Sequence, residues 1–242
     1  MDQKIAVFDS GVGGLAVLKQ AKKALPHEDF LYFADNKNMP FGNKTANEIC
    51  SLVCDGVDKI LCTKPKAVVL ACNTATSTCM DKLVERYPKT LFVGTLPVVD
   101  NVAKPCLVFV TKGTAESSFG VRVAKQKDVY LFELQKGAKM IEDCCTDNDF
   151  KQYLDDVLGG INLFAFKSMV LGCTHFIHKK QVFASFGLPV YDNAKKVADD
   201  LKKSLEQRGL AKKHGPKGSV TFALTDNSEQ QFKKYIGFFN KL

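Results

Sequence analysis

The sequence predicts an α/β fold built on parallel sheets, and three observations carry this. Short apolar runs alternate with helical stretches along all 242 residues. The runs are apolar almost throughout, the pattern of strands covered on both faces. The residues able to do chemistry fall just past the ends of those runs, where sheets of this kind carry their ligands.

Ile5–Phe8 is the first strand and is followed by a glycine turn. Leu15–Leu25 reads as a helix stopped by Pro26, and Phe30–Ala34 as a second strand. Ile49, Val53, Val57, Ile60 and Leu61 recur at helical spacing, which predicts an amphipathic helix over Ala46–Cys62. Ala67–Ala71 is a third strand, Thr76–Tyr87 a helix and Leu91–Gly94 a fourth strand. Cys106–Val110, Val129–Phe132 and Ser168–Leu171 read as further strands. Leu154, Val157 and Leu158 mark another helix, and Phe232, Tyr235, Ile236 and Phe239 stripe the last one. Pro97 and Pro105 bracket a lobe boundary, and Gly209 to Gly218 forms a second crossing.

Composition narrows the class. No apolar run reaches the roughly 18 to 20 residues of a membrane span, and the N-terminus lacks a signal-peptide pattern. A cytoplasmic location with no membrane partner is therefore expected. The net charge of +8 invites a nucleic-acid reading, but only Arg86, Arg122 and Arg208 are arginines. Phosphate and base recognition leans on arginine, so nucleic acid is not expected as the main partner. Nine cysteines, an odd number with no Cys-x-x-Cys, are expected to be reduced thiols.

Four motifs carry chemistry. "VFDSGVGG", Val7 to Gly14, ends a strand at Asp9 and turns through Ser10 and three glycines into a helix. It satisfies neither G-x-G-x-x-G nor a P-loop. It leaves a carboxylate, a hydroxyl and free backbone N–H groups that can hold a small anion or zwitterion; Asp9 reads equally well as a helix cap. "MPFGNK", Met39 to Lys44, is a tight turn able to bring backbone groups to a ligand, and taken alone it reads as a surface loop. "VVLACNTATS" places Cys72 at a strand end before a helix, with Asn73 and Thr74 beside it. A helix N-terminus lowers a thiol pKa, so Cys72 is expected to be acidified. "MVLGCTHFIH" places Cys173 at another strand end, with Thr174 and His175 adjacent. A lone cysteine is usually packing; two at matching strand ends, each with polar neighbours, point to chemistry. Cys173, His175 and His178 also suggest a metal site, but too few ligands accompany them, so no metal is expected.

"DSGVGGL", "PFG", "ACNTAT" and "LGCTHF" occur in that order and at spacings that cover nearly the whole chain. Together they resemble glutamate racemase, of the cofactor-independent aspartate/glutamate racemase superfamily. The resemblance implies two similar parallel-sheet α/β lobes facing across a cleft: residues 1–95 with 210–242, and 96–209. It implies catalysis by Cys72 and Cys173, assisted by Asp9 and His175. Asp9, Ser10, Phe41, Gly42, Asn73, Thr74, Thr174 and His175 would line the substrate, glutamate. It further implies no cofactor, a homodimer, and D-glutamate supplied to peptidoglycan. Related aspartate racemases carry His after Cys-Asn-Thr-Ala and Glu after Gly-Cys-Thr; Thr76 and His175 here favour glutamate. A racemase for aspartate or another amino acid, and a non-catalytic binding homologue, are the alternatives. The departures are Phe41 for a tyrosine, Leu96-Pro97 for Glu-Pro, Val110-Thr111 for Gly-Thr, and Leu134-Gln135 where a supporting acid of a Leu-Val-Glu segment is expected.

Overall fold

The structure, a computed structural model, describes residues 3–242. The first sheet is laid down by β1 (Ile5–Asp9), α1 (Leu15–Ala24), β2 (Phe30–Ala34), α2 (Ala46–Leu61), β3 (Ala67–Leu70), α3 (Asn73–Arg86) and β4 (Phe92–Gly94). The second follows with β5 (Cys106–Val110), α4 (Lys112–Ala115), α5 (Ser118–Val123), β6 (Val129–Glu133), α6 (Gly137–Glu142) and α7 (Asp147–Leu158). It is completed by β7 (Ser168–Leu171), α8 (Thr174–Ile177), α9 (Lys180–Ala184) and β8 (Val190–Tyr191). The chain then runs through α10 (Ala194–Gln207), β9 (Val220–Leu224) and α11 (Glu229–Lys241).

All pairings are parallel, in the orders β4-β3-β1-β2-β9 and β6-β5-β7-β8. Without β9 the two orders are the same: in each, the second strand lies on one side of the first and the third on the other. Each sheet therefore reverses direction once, beside its first strand. The crevice this opens at the strands' carboxyl ends is where α/β sheets bind ligands. It lies between β1 and β3 in one lobe and between β5 and β7 in the other.

Apolar residues on both faces make these strands central. In β1, Ile5 and Val7 pack with α1 and α10, while Ala6 and Phe8 pack with α2 and α3. In β5, Leu107 and Phe109 face one core, and Val108 and Val110 the other. The helices start where local chemistry lets them. Thr45 and Glu48 close a capping box at the head of α2, as Thr146 and Asp149 do for α7. α3 begins at Asn73, a turn earlier than the sequence pattern predicts, because Cys72 takes the capping position.

Among the elements with no clear sequence signal, α10 and β9 belong to the first sheet's lobe. α10 buries Ala194, Val197, Ala198, Leu201 and Leu205 against the α1 side of the first sheet. Its outer face carries Lys195–Asp199 and Lys196–Asp200 pairs. β9 is an edge strand on β2, mostly half-buried, so it lacks a fully apolar run. Among the described residues no helix is long and apolar enough to cross a membrane.

The second lobe's core centres on Phe183, fully buried, with ring centroids 4.9 Å from Phe109, 5.8 Å from Phe150 and 6.0 Å from Phe176. Phe176 belongs to α8, so this cluster seats the helix that follows Cys173. Phe183→Ala should cost about 3–5 kcal/mol by transfer and cavity terms, read as a lower midpoint in equilibrium urea unfolding.

Candidate active site

Asp9 ends β1, fully buried, and its Oδ1 accepts the Gly11 N–H at 2.7 Å. Burial pushes its carboxyl up to about 6, although the charge of His175 pulls the other way. Across the β1–β3 crevice, Cys72 caps α3. Its Sγ accepts the Ala75 N–H at 3.5 Å and lies 3.8 Å from Ser10 Oγ. The expectation that the helix N-terminus acidifies this thiol is overturned. Burial, followed by the charge of Asp9, pushes Cys72 from its ordinary 9.0 up to about 12, and the Ala75 amide offsets little of it.

In the second lobe, Cys173 Sγ lies 3.9 Å from His175 Nδ1. The other ring nitrogen, Nε2, lies 3.0 Å from Glu142 Oε2, which also accepts the Val12 N–H at 2.8 Å. Burial works to lower His175, but its bonds to Cys173 and Glu142 outweigh it and hold the imidazole well above its ordinary value. Burial likewise works to raise Glu142, yet His175 and then Lys234 hold it at about 2. The pair is thus a buried carboxylate and imidazolium.

This corrects the reading of Gln135 as the place of a lost acid. Gln135 is exposed, whereas Glu142, 4% exposed, supplies the carboxylate at the end of α6. Met140-Ile141-Glu142 has the character of the expected Leu-Val-Glu segment, and that signal could have found it. Sequence reasoning also missed Tyr32, whose hydroxyl donates to the Gly11 carbonyl at 2.7 Å. It missed Lys234 and Tyr235, which reach Glu142 from α11.

The lobes meet on the predicted residues. Thr174 Oγ1 donates to Asp9 Oδ2 at 3.4 Å. Thr74 Oγ1 lies 2.9 Å from Thr111 Oγ1 and 3.3 Å from Thr114 Oγ1. Gly42 closes on Thr111, whose Cβ is 2.6 Å from where a Gly42 Cβ would sit. The ring of Phe41 packs toward Phe8, at 6.3 Å between centroids, in the core of the first lobe. Asn73 is 2% exposed, and neither end of its amide meets a partner among the described residues. A buried, unsatisfied amide beside a thiol is a ready contact for a polar ligand.

His178 donates from Nε2 to the Val12 carbonyl at 2.9 Å, and burial presses it down to about 4. It therefore serves the glycine loop, while Nε2 of His175 is committed to Glu142. Among the described residues no three His, Cys, Asp or Glu side chains cluster as a cation site. Both thiols are only 7% exposed. A cavity of about 550 Å³, lined by residues including Thr76, Pro97, Arg122 and Asn193, touches neither of them.

Gly13 lets the first lobe's loop lie on α8: an added Cβ would come within 2.6 Å of His175 Nδ1 and 2.7 Å of Thr174 Oγ1. Gly13→Ala should displace His175 from Glu142. The ¹⁵N shifts of its imidazole should move, with the circular dichroism of the fold retained.

No family model matches the sequence. Glutamate racemase from Clostridium botulinum (strain Alaska E43 / Type E3) is 30% identical, over 96% of this chain and 96% of its own. That from Lachnospira eligens is 33% identical, over 95% and 94%. Among solved structures, glutamate racemase from Francisella tularensis in complex with D-glutamate superposes with a TM-score of 0.87 at 24% identity, covering 100% of this chain and 94% of that one. The fold is thus shared with a structure whose sequence has diverged widely. With relatives at this identity aligned almost end to end, the chain belongs to the glutamate racemase family and is an amino-acid racemase, an isomerase.

Proposed function

We propose that this chain interconverts L- and D-glutamate by two-base proton transfer at Cα, with Cys72 and Cys173 as the bases. One observation carries the reading: each thiol follows the third strand of its own lobe and is buried, and Thr174, beside Cys173, bonds Asp9, whose charge acts on Cys72. Inversion at Cα takes a proton from one face and returns one to the other, which two groups on opposite lobes can do and one cannot. The relatives named above support glutamate as substrate.

In each turnover, a thiolate on one face takes the Cα proton, forming one S–H bond. The thiol on the other face gives up its proton to Cα, breaking one. The next substrate of opposite hand runs the transfer backward. Cys72, pushed up to about 12, rests as a thiol and is the proton donor at the start. Asp9, ionised above about pH 6, is placed to help carry that proton away when Cys72 must act as base. The His175 imidazolium faces Cys173 through Nδ1, placed to exchange charge and protons with it, and Glu142 fixes the ring. The Asn73 amide, which meets no partner among the described residues, and the hydroxyls of Ser10, Thr74 and Thr174 are assigned to the substrate's polar groups. Closure keeps water from quenching the carbanion-like charge. Because both thiols are covered, substrate entry requires the lobes to part.

The lobes are assigned as 1–95 with 210–242, and 96–209. α10 lies in the second span by sequence but packs on the first sheet, with the core of the first lobe. The family resemblance supports a reaction without pyridoxal phosphate, a cytoplasmic homodimer, and D-glutamate destined for peptidoglycan.

Incubation with L-glutamate in D₂O, without pyridoxal phosphate, should give D-glutamate carrying deuterium at Cα; absence of both products sinks the proposal. A panel including aspartate separates the substrates. Cys72→Ala and Cys173→Ala should each lose roughly 10³-fold or more in kcat, and full activity of either variant removes that thiol from the mechanism. The rate should fall as pH drops through about 6, where Asp9 takes up a proton. Asp9→Asn should be slower and should lack that acid limb in a pH–rate profile.

A further inference from the structure

The last helix of the chain reaches the second lobe's acid. Lys234, on α11, places Nζ 2.7 Å from Glu142 Oε1 and 3.4 Å from the Glu142 carbonyl oxygen. The side chains are 19% and 4% exposed, so the pair is shielded from water. Tyr235, the next residue, has its hydroxyl 3.5 Å from the same Oε1. The other oxygen, Oε2, serves His175 and the Val12 amide. Each oxygen of Glu142 thus has its own cation: Lys234 on one side and the His175 imidazolium on the other. α11 packs with α1 and β9, whereas α6, which carries Glu142, belongs to the second lobe.

We propose that Lys234 is a positioning residue for the Cys173 half of the reaction, anchoring Glu142 Oε1 so that Oε2 stays on His175 Nε2 and Nδ1 stays on Cys173. The proposal rests on the two-thiol reading above. The physical reason is the state of a buried carboxylate with one oxygen left to a single neutral hydroxyl at 3.5 Å. It rotates toward another donor or takes a proton, and either change releases the ring it holds. A charge-assisted bond to each oxygen removes both escapes. Asp9, the other buried carboxylate of the site, lies on the first lobe's side with Cys72, so Lys234 acts on one thiol and not equally on both.

That asymmetry gives the test. Each thiol takes the Cα proton from one enantiomer only. Lys234→Met should lower kcat by roughly tenfold or more, with KM held within about twofold of wild type because Lys234 touches no substrate. Since kcat/KM must fall equally in both directions at equilibrium, the Cα-deuterium isotope effect is the informative reading. It should rise for one enantiomer and stay unchanged for the other. Lys234→Arg, which keeps the charge, should recover most of kcat. Lys233→Met, which loses only the exposed pair with Glu229, is the surface control and should match wild type.

A Lys234→Met enzyme within twofold of wild type in kcat overturns the proposal. So does a fall in rate with isotope effects unchanged for both enantiomers, the mark of a merely structural role, or an arginine variant as slow as the methionine one. Cys173→Ala assayed alongside separates the layers. If Cys173→Ala is inactive and Lys234→Met is normal, the two-thiol reading stands and the role of Lys234 falls. If Cys173→Ala is active, the two-thiol reading falls and takes the role of Lys234 with it.

Discussion

A carboxylate buried at the junction of the lobes organises the rest of the site. Glu142 is the point where the loop after β1, the helix after β7 and the last helix of the chain converge, through Val12, His175 and Lys234. An ionised carboxylate taken from water costs several kcal/mol unless each oxygen is matched. Here every bond it gains crosses from another element, so the charge is stable only while those elements are assembled. The same bonds set the imidazole. With Nε2 committed to Glu142, Nδ1 is the ring atom left to face Cys173. The close approach of Gly13 to α8 follows from the same need: the loop must lie flat enough for its Val12 amide to reach the carboxylate.

Much of this architecture was legible because the sequence repeats where the topology repeats. "VVLACNTATS" and "MVLGCTHFIH" resemble each other because both span the end of the third strand of a sheet with one and the same order. The strand in each is buried on both faces, which makes it apolar throughout. The crevice beside the first strand then fixes where the first polar residue goes. Other elements were illegible for equally physical reasons. α10 buries small residues between lysine and aspartate pairs, so its mean character is polar while its inner face is core. β9 sits at an edge, where half-buried positions remove the continuous apolar signal, and β8 is two residues long.

The two site features misjudged from sequence share a cause: both are set by three-dimensional neighbours rather than by local order. Reading Gln135 in place of the acid assumed that a carboxylate must occupy a fixed slot along the chain. What the proposed chemistry needs is a carboxylate within reach of His175 Nε2, and α6 delivers Glu142 there. Cys72 was expected to be acidified because it caps a helix. A helix terminus contributes about 0.3–2 kcal/mol, whereas full burial moves an ionisable group by up to 3–5 pKa units. When both act on one sulfur, burial decides, and the neighbouring Asp9 charge reinforces it.

A high pKa at Cys72 suits the proposed reaction better than a low one. The Cα proton of an amino acid is very weakly acidic, and proton transfer is easiest when the base approaches the basicity of the carbanion it creates. Moving Cys72 from 9.0 to about 12 makes its thiolate a stronger base by about 4 kcal/mol. The cost is that the thiolate is scarce at rest. That scarcity is tolerable only if the proton leaves as part of turnover, and the design of the site allows this. In the proposed reaction, a transfer that starts at Cys173 consumes the proton on Cys72 and leaves behind the strong base that the mirror-image substrate needs. The two halves of the site therefore need not be alike. Cys173 has an imidazolium and a fixed carboxylate behind it, and Cys72 has burial and an aspartate near its titration point. The requirement is that the state with the proton on one sulfur and the state with it on the other lie close in free energy. Two unlike environments can satisfy that requirement as well as two identical ones.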